Sequence, residues 1–165
     1  MKLDFSQKYA VRPLTAGDVD KILALCAENE QFYRYHPPLA TRESVLEDMT
    51  ALPPGKNAAD KHYLGFFDGK TLVAVLDLIL DYPKEGTAYL GFFMTKKATQ
   101  GRGIGSALIG ELLDELRKAS CKKVRLAVDR GNPQSKAFWE KNGSALMGEE
   151  FPNGDSAYLP MERAL

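Results

Sequence analysis

The chain has 165 residues, enough for one domain with a substantial core. Lys plus Arg and Asp plus Glu each number 22, so the formal net charge is zero and no basic excess argues for nucleic acid or an anionic membrane surface. Met1 to Tyr9 holds no apolar secretory core and apolar runs such as Leu72 to Leu76 are too short to cross a bilayer, while Cys26, Cys121, His36 and His62 have no metal-ligand spacing. The expectation is a single domain over 1–165, cytoplasmic, with reduced thiols and no metal, acting as a monomer or homodimer.

Tyr9 to Leu14 reads as a short first strand. Thr15 follows as a helix N-cap with Asp18 three residues on, an Asp version of the capping box. Val19, Ile22, Leu23 and Cys26 then recur at helical spacing to about Glu28. A second helix starts at Thr41, carries Val45, Leu46, Met49 and Leu52, and stops at Pro53-Pro54. Between the two lies an aromatic stretch read as a loop, Gln31-Phe32-Tyr33-Arg34-Tyr35-His36-Pro37-Pro38. Such a loop either lids the core or lines a pocket.

Lys61 to Phe67 and Lys70 to Leu80 read as strands joined by a two-residue turn at Asp68-Gly69. Alternation in the second places Leu72, Ala74, Leu76 and Leu78 on one face and Val73, Val75, Asp77 and Ile79 on the other. Asp77 is thus a carboxylate in a run otherwise apolar on both faces, which points either to a paired or solvated structural charge or to a functional group. Another antiparallel strand spans Thr87 to Thr95.

Gln100-Gly101-Arg102-Gly103-Ile104-Gly105-Ser106 then joins that strand to the longest helical pattern in the chain, built on Ile104, Leu108, Leu112 and Leu116. Three glycines leave the backbone bare where first-turn N–H groups lack partners and the helix dipole is positive. That is a ready site for phosphate or pyrophosphate, with Arg102 adding a mobile charge. A Walker loop is excluded, because no glycine is followed by Lys-Ser or Lys-Thr at the required gap. A dinucleotide fingerprint also fails: counting from Gly101 its last position is Ser106, and from Gly103 it is Leu108.

Val124, Leu126 and Val128 alternate with Arg125, Ala127 and Asp129 as the next strand, parallel to the one before the helix. Asn132 as N-cap and Pro133 at the first helical position open a last helix that Gly143 closes. Ala145 to Phe151 and Ser156 to Met161 read as a final hairpin around Pro152-Asn153-Gly154. The fold class expected is α+β: a mixed, mostly antiparallel twisted sheet of about seven strands with helices on both faces.

The Gln-x-x-Gly-x-Gly segment between a strand and a long helix resembles the acyl-CoA-binding motif of the GNAT N-acetyltransferase superfamily. Asn132-Pro133-Gln134-Ser135-Lys136-Ala137-Phe138-Trp139-Glu140-Lys141-Asn142-Gly143 resembles that family's later helix, and Ala10 to Thr15 with Asp18 its opening strand and cap. The resemblance implies acetyl-CoA as acetyl donor and a primary amine, on a small molecule or a protein, as acceptor. It implies that Phe93, Met94 and Thr95 offer backbone groups to the pantetheine arm, one N–H polarising the thioester carbonyl. By the same resemblance Gln100, Gly101, Arg102, Gly103, Ile104, Gly105 and Ser106 hold the pyrophosphate. Asn132 reaches the pantetheine, and Lys136 meets phosphate charge. Trp139 departs from the family, where Tyr is common and is thought to protonate the thiolate. Ser144 departs too, since Phe often follows the glycine.

The magnitudes rank the two proton transfers. A thiol pKa of about 8.5 makes the thiolate a tolerable leaving group near neutrality. An amine of pKa about 10.4 must give up its proton first, a penalty of about 4 to 5 kcal/mol at pH 7. Water or Tyr158 can stand in for the missing acid. For the base, Asp77 is the candidate, with Glu85 outside it, and Tyr33, Tyr35 and His36 shape the acceptor pocket. Two other readings stay open: a non-catalytic acyl-CoA-binding or sensor module, and a nucleotide-dependent oxidoreductase with Asp129 on a ribose, which the glycine spacing disfavours.

Overall fold

A computed structural model describes residues 1–165. In chain order it holds β1 (Ala10–Pro13), α1 (Val19–Glu28), α2 (Glu30–Tyr35), α3 (Arg42–Thr50), β2 (Lys61–Asp68), β3 (Thr71–Leu80) and β4 (Thr87–Thr95). There follow α4 (Ile104–Lys118), β5 (Lys123–Asp129), α5 (Pro133–Lys141), β6 (Ala145–Leu146), β7 (Phe151–Asn153) and β8 (Ser156–Ala164). One eight-stranded sheet has the order β1-β2-β3-β4-β5-β8-β6, with β7 beside β8. Every pairing is antiparallel except β4 with β5. This is the α+β architecture that the sequence implies.

The sheet carries a core on each face. On one side α4 and Trp139 of α5 cover Ala74, Leu76, Leu78, Leu90, Leu126 and Val128. On the other, Val19, Ile22, Leu25 and Cys26 of α1, with Tyr33 and Val45, cover Leu72, Val75 and Met94. Strict alternation along β3 predicts Leu72 on the α4 face, but it lies on the α1 face. The cause is an extra residue: Phe66 faces Ala74 and Phe67 faces Leu72, so Val73 is bulged and the pleat changes phase. The turn before β3 also shifts by one. Asp68 still pairs with Thr71, and the two-residue loop is Gly69-Lys70, with Gly69 at φ +57.

Near the first helix, Asp18 accepts from Thr15 N at 2.9 Å and takes both guanidinium nitrogens of Arg12, at 2.9 and 2.7 Å. That fork holds the Asp18 carboxyl well below its ordinary range. The aromatic loop of the sequence reading contains a short helix, α2. The closing hairpin is smaller than its pattern suggests. Gly148-Glu149-Glu150 interrupts it with residues that strands disfavour, so only two and three residues pair with β8 on either side. No helix is long and apolar enough to cross a membrane.

One irregularity places the site. β4 and β5 pair only from Thr87 to Leu90 against Lys123 to Leu126. On the other edge of β4, Asp77 faces Phe92 and Leu78 faces Leu90, so Gly91 is an extra residue. A bulge bends its strand and increases its twist. It falls where the parallel pairing stops, and beyond it Gly91 to Thr95 and Ala127 to Asp129 diverge.

Candidate active site in the gap between two parallel strands

The gap opens on one side into a cleft of about 470 Å³. Its floor is Phe93, Met94 and Thr95 of β4, one wall is the start of α4, and the other is α5. None of the backbone N–H groups from Gly103 to Ser106 donates to a protein acceptor; the helix ladder begins with Ala107 N on Gly103 O at 3.0 Å. Gly101 and Gly103 have φ of +72 and +77, and nothing lies within 4 Å of where a Cβ would stand. The loop is therefore a cradle of free donors with open space above, which fits a diphosphate. Gly105 lets α4 approach α5, because a Cβ there would come 3.2 Å from the Phe138 ring.

The cradle is tied to the α1–α2 junction. Gln100 Nε2 donates to Asn29 Oδ1 at 2.6 Å and to Thr95 O at 3.0 Å. Asn29 Nδ2 in turn donates to Leu25 O and Thr95 O. Lys96 Nζ pairs with Glu28 at 2.8 Å on the cleft's rim. Asn132 is buried and caps α5, its Oδ1 accepting from Ser135 N at 3.1 Å. Trp139 stands edge-on to Phe93 and Phe138, with ring centroids 6.1 and 5.0 Å away.

Past Phe93, Ser135 and Trp139 the cleft runs into the strand gap itself, about 190 Å³. Here His36, at the end of α2, meets Asp129, the last residue of β5. His36 Nδ1 lies 3.1 and 3.2 Å from the two Asp129 oxygens. That hydrogen bond raises the His36 pKa above its ordinary value, against the opposing effect of burial. Tyr158, opposite Asp129 on β8, also faces the gap, and burial raises its phenol pKa.

Beyond His36 and Phe92 lies a third cavity of about 290 Å³ under α1 and α3. Tyr33, Tyr63, Asp48 and Asp77 line it. Burial raises the pKa of all four. Asp77 is held by Lys61, whose Nζ lies 2.9 Å from Oδ1 and 3.0 Å from Oδ2. Only Oδ2 receives it in hydrogen-bonding geometry, and Oδ1 is buried without a partner. Lys61 also donates to Ala51 O at 2.9 Å, and its side chain is 5% exposed.

Of the residues singled out in the sequence, Phe93, Met94, Thr95, Gln100, Gly101, Gly103, Gly105, Ser106, Asn132 and Trp139 all face the cleft. Arg102, Ile104 and Lys136 do not. Arg102 is exposed at the loop, Ile104 packs against the core and Lys136 pairs with Glu140 at 3.4 Å. Tyr33 lines the third cavity and His36 joins it to the gap, whereas Tyr35 lines neither. The sequence reading passed over Asn29, Phe32 and the pairing of His36 with Asp129. Phe32 borders all three spaces; only its place in an aromatic stretch hinted at this.

Comparison with known proteins agrees with this geometry. A family model described as the acetyltransferase (GNAT) family matches residues 23–143. An acetyltransferase from Thermus thermophilus has the same fold with a TM-score of 0.76 and 22% identity, covering 100% of each chain. A spermidine N-acetyltransferase chimera from Vibrio cholerae and hSSAT gives a TM-score of 0.72 at 22% identity, covering 96% of each chain. An N-acetyltransferase from Thermoplasma acidophilum in complex with coenzyme A gives 0.68 at 20% identity, over 95% of this chain and 99% of that one.

Proposed function

The chain belongs to the acetyltransferase (GNAT) family, and on that premise we propose that it moves an acetyl group from acetyl-CoA directly to a primary amine. The observation that carries this reading is the unpaired N–H run from Gly103 to Ser106, opening along β4 into the strand gap. Acetyl-CoA supplies an activated acetyl thioester. The chain's part is to hold and orient it. The free N–H groups receive the pyrophosphate, Asn132 and the diverging β4 backbone take the pantetheine arm, and a β4 N–H polarises the thioester carbonyl.

The third cavity, reached past Phe32 and His36, takes the acceptor. Small-molecule amines and protein amines both remain within the proposal, and the reduced thiols of Cys26 and Cys121 suit a cytoplasmic setting. Calorimetry with CoA, followed by a thiol-release assay over a panel of primary amines, tests the reading. Micromolar CoA binding with amine-dependent thiol release is expected, and a folded protein with no CoA affinity overturns it. Trp139 at the position of the family's usual Tyr favours a second reading, an acyl-CoA-binding module without turnover. Tight CoA binding with no thiol release for any amine supports that one instead.

A further inference from the structure

We propose that His36 takes the proton from the acceptor amine and that Asp129 positions it to do so. This rests on the acetyl-transfer reading. His36 is the titratable side chain that faces both the strand gap and the acceptor cavity, so it stands where donor and acceptor must meet. Asp129 is 6% exposed, and its carboxylate can only accept. The neutral ring therefore carries its proton on Nδ1, toward Asp129, and its lone pair on Nε2. The ring is fixed between Phe32, 5.2 Å away, and Tyr158, 6.1 Å away, centroid to centroid. Its own backbone N–H is held by Phe32 O at 3.1 Å.

Asp77 is the competing base in the same cavity. It lines the third cavity but not the strand gap, and Lys61 engages its carboxylate, a pull that opposes the rise burial gives its pKa. His36 has no such cation. The groups that face it are anionic or neutral: Asp129 on β5, Tyr158 on β8, Asp48 on α3, and Asp77 and Tyr63 across the third cavity. Asp129 and Asp48 favour the imidazolium that proton capture creates.

The step balances without a further reactant. Nε2 of neutral His36 removes one proton from the acceptor ammonium, leaving an amine lone pair. That nitrogen forms the new bond to the thioester carbonyl carbon, and the carbon–sulfur bond breaks with its electron pair on sulfur. The nitrogen's second proton passes to the sulfur. His36, with 39% of its side chain exposed, returns the first proton to solvent, so amide, CoA thiol and one proton leave.

The experiment compares wild type, His36→Gln, Asp129→Asn and Asp77→Asn. Each is checked for melting temperature and CoA affinity, then assayed for thiol release from acetyl-CoA over a pH series. The acceptor is the most reactive among spermidine, lysine methyl ester and an alanine-led tetrapeptide. In parallel, the two histidine rings are titrated by NMR, His36 being the one missing from His36→Gln.

Expected for His36→Gln is a loss of roughly a hundredfold or more in kcat/KM near neutrality, CoA affinity unchanged, and recovery at high pH where free amine is plentiful. Asp129→Asn should lower the NMR pKa of His36 and move the acid limb of the pH–rate profile down with it. A folded His36→Gln protein with the wild-type profile overturns the proposal. So does Asp77→Asn if it, and not His36→Gln, abolishes the limb. Wild-type protein that binds CoA but acetylates none of the amines overturns the transfer reading and this proposal together, whereas the other two results leave the transfer reading standing.

Discussion

Where the glycine-loop cleft, proposed for the donor, presents the bare N–H groups of Gly103 to Ser106, the third cavity, proposed for the acceptor, presents side chains from five elements: Tyr33, Asp48, Tyr63, Asp77 and Phe92. The N–H cradle of the first is made by one continuous segment, a strand, a glycine loop and a helix start, with α5 walling the cleft opposite. The second exists only after α2, α3, β2, β3 and β4 have converged. A site of the first kind is sensitive to what is added to it, because any Cβ intrudes. A site of the second kind is sensitive to what is removed, because each group balances another.

Asp77→Asn is the sharpest test of that contrast. It leaves the largely buried Lys61 without its counter-ion, and breaking such a pair costs about 3 kcal/mol or more. A clear drop in denaturation midpoint is expected, while the acid limb of the pH–rate profile persists in the folded fraction. The double variant with Lys61→Met should recover most of the loss, since neither charge is then stranded. A stable single variant would mean that the acceptor side is not held by balanced charges.

Addition is tested at the other end. Gly103→Val places a branched side chain in the open space above the cradle. Losing two charge-assisted hydrogen bonds at about 1.5 kcal/mol each raises the CoA Kd by roughly a hundredfold. Backbone strain at φ +77 contributes to stability loss but not to affinity. Gly55→Val is the control, at φ +81 in equally open space away from the cleft. Calorimetry should show weak CoA binding for the first variant and ordinary binding for the second.

The same difference explains how far each half was legible in the sequence. Gln100 to Ser106 could be read because spacing along the chain is spacing in space there. The cap Asn132 and Trp139 were legible for the same reason, as one helix with its N-cap. His36 and Asp129 lie 93 positions apart and meet only because β4 and β5 part at the Gly91 bulge. No periodicity announces that. The bulge at Val73 likewise moved Leu72 to the other face, and α2 was hidden in a run too short for a helical stripe. Asp77 was rightly marked as unusual, but its partner Lys61 sits on a neighbouring strand, out of reach of any local pattern.

A smaller effect is expected at Tyr158. If its phenol supplies a proton to sulfur, Tyr158→Phe should lower kcat only a few-fold near neutrality, because a thiol of pKa about 8.5 already leaves readily. A hundredfold loss would make thiolate departure, not amine deprotonation, the harder step.

The smallest is a pH dependence of stability. The folded-state pKa of His36 is raised, so its bond to Asp129 contributes fully below the unfolded histidine value of about 6.5 and fades as pH rises through the raised value. His62 works in the opposite sense. Burial lowers its pKa, so stability is lost as pH falls below about 6.5. Denaturation midpoints from pH 6 to 9 should fall slightly at the upper end in wild type, and Asp129→Asn should flatten that fall.

The hydrogen bond from Gln100 to Asn29 joins the loop that meets the donor to the residue from which α2 departs, and α2 leads to Phe32 and His36. If CoA displaces that loop, this bond carries the displacement to α2. Thermodynamic reciprocity then requires that the factor by which CoA tightens the acceptor equal the factor by which the acceptor tightens CoA. A coupling carried by that bond tightens both ligands by one factor, whichever binds first. Asn29→Ala should bring that factor toward one, read by calorimetry with CoA in the presence and absence of the amine.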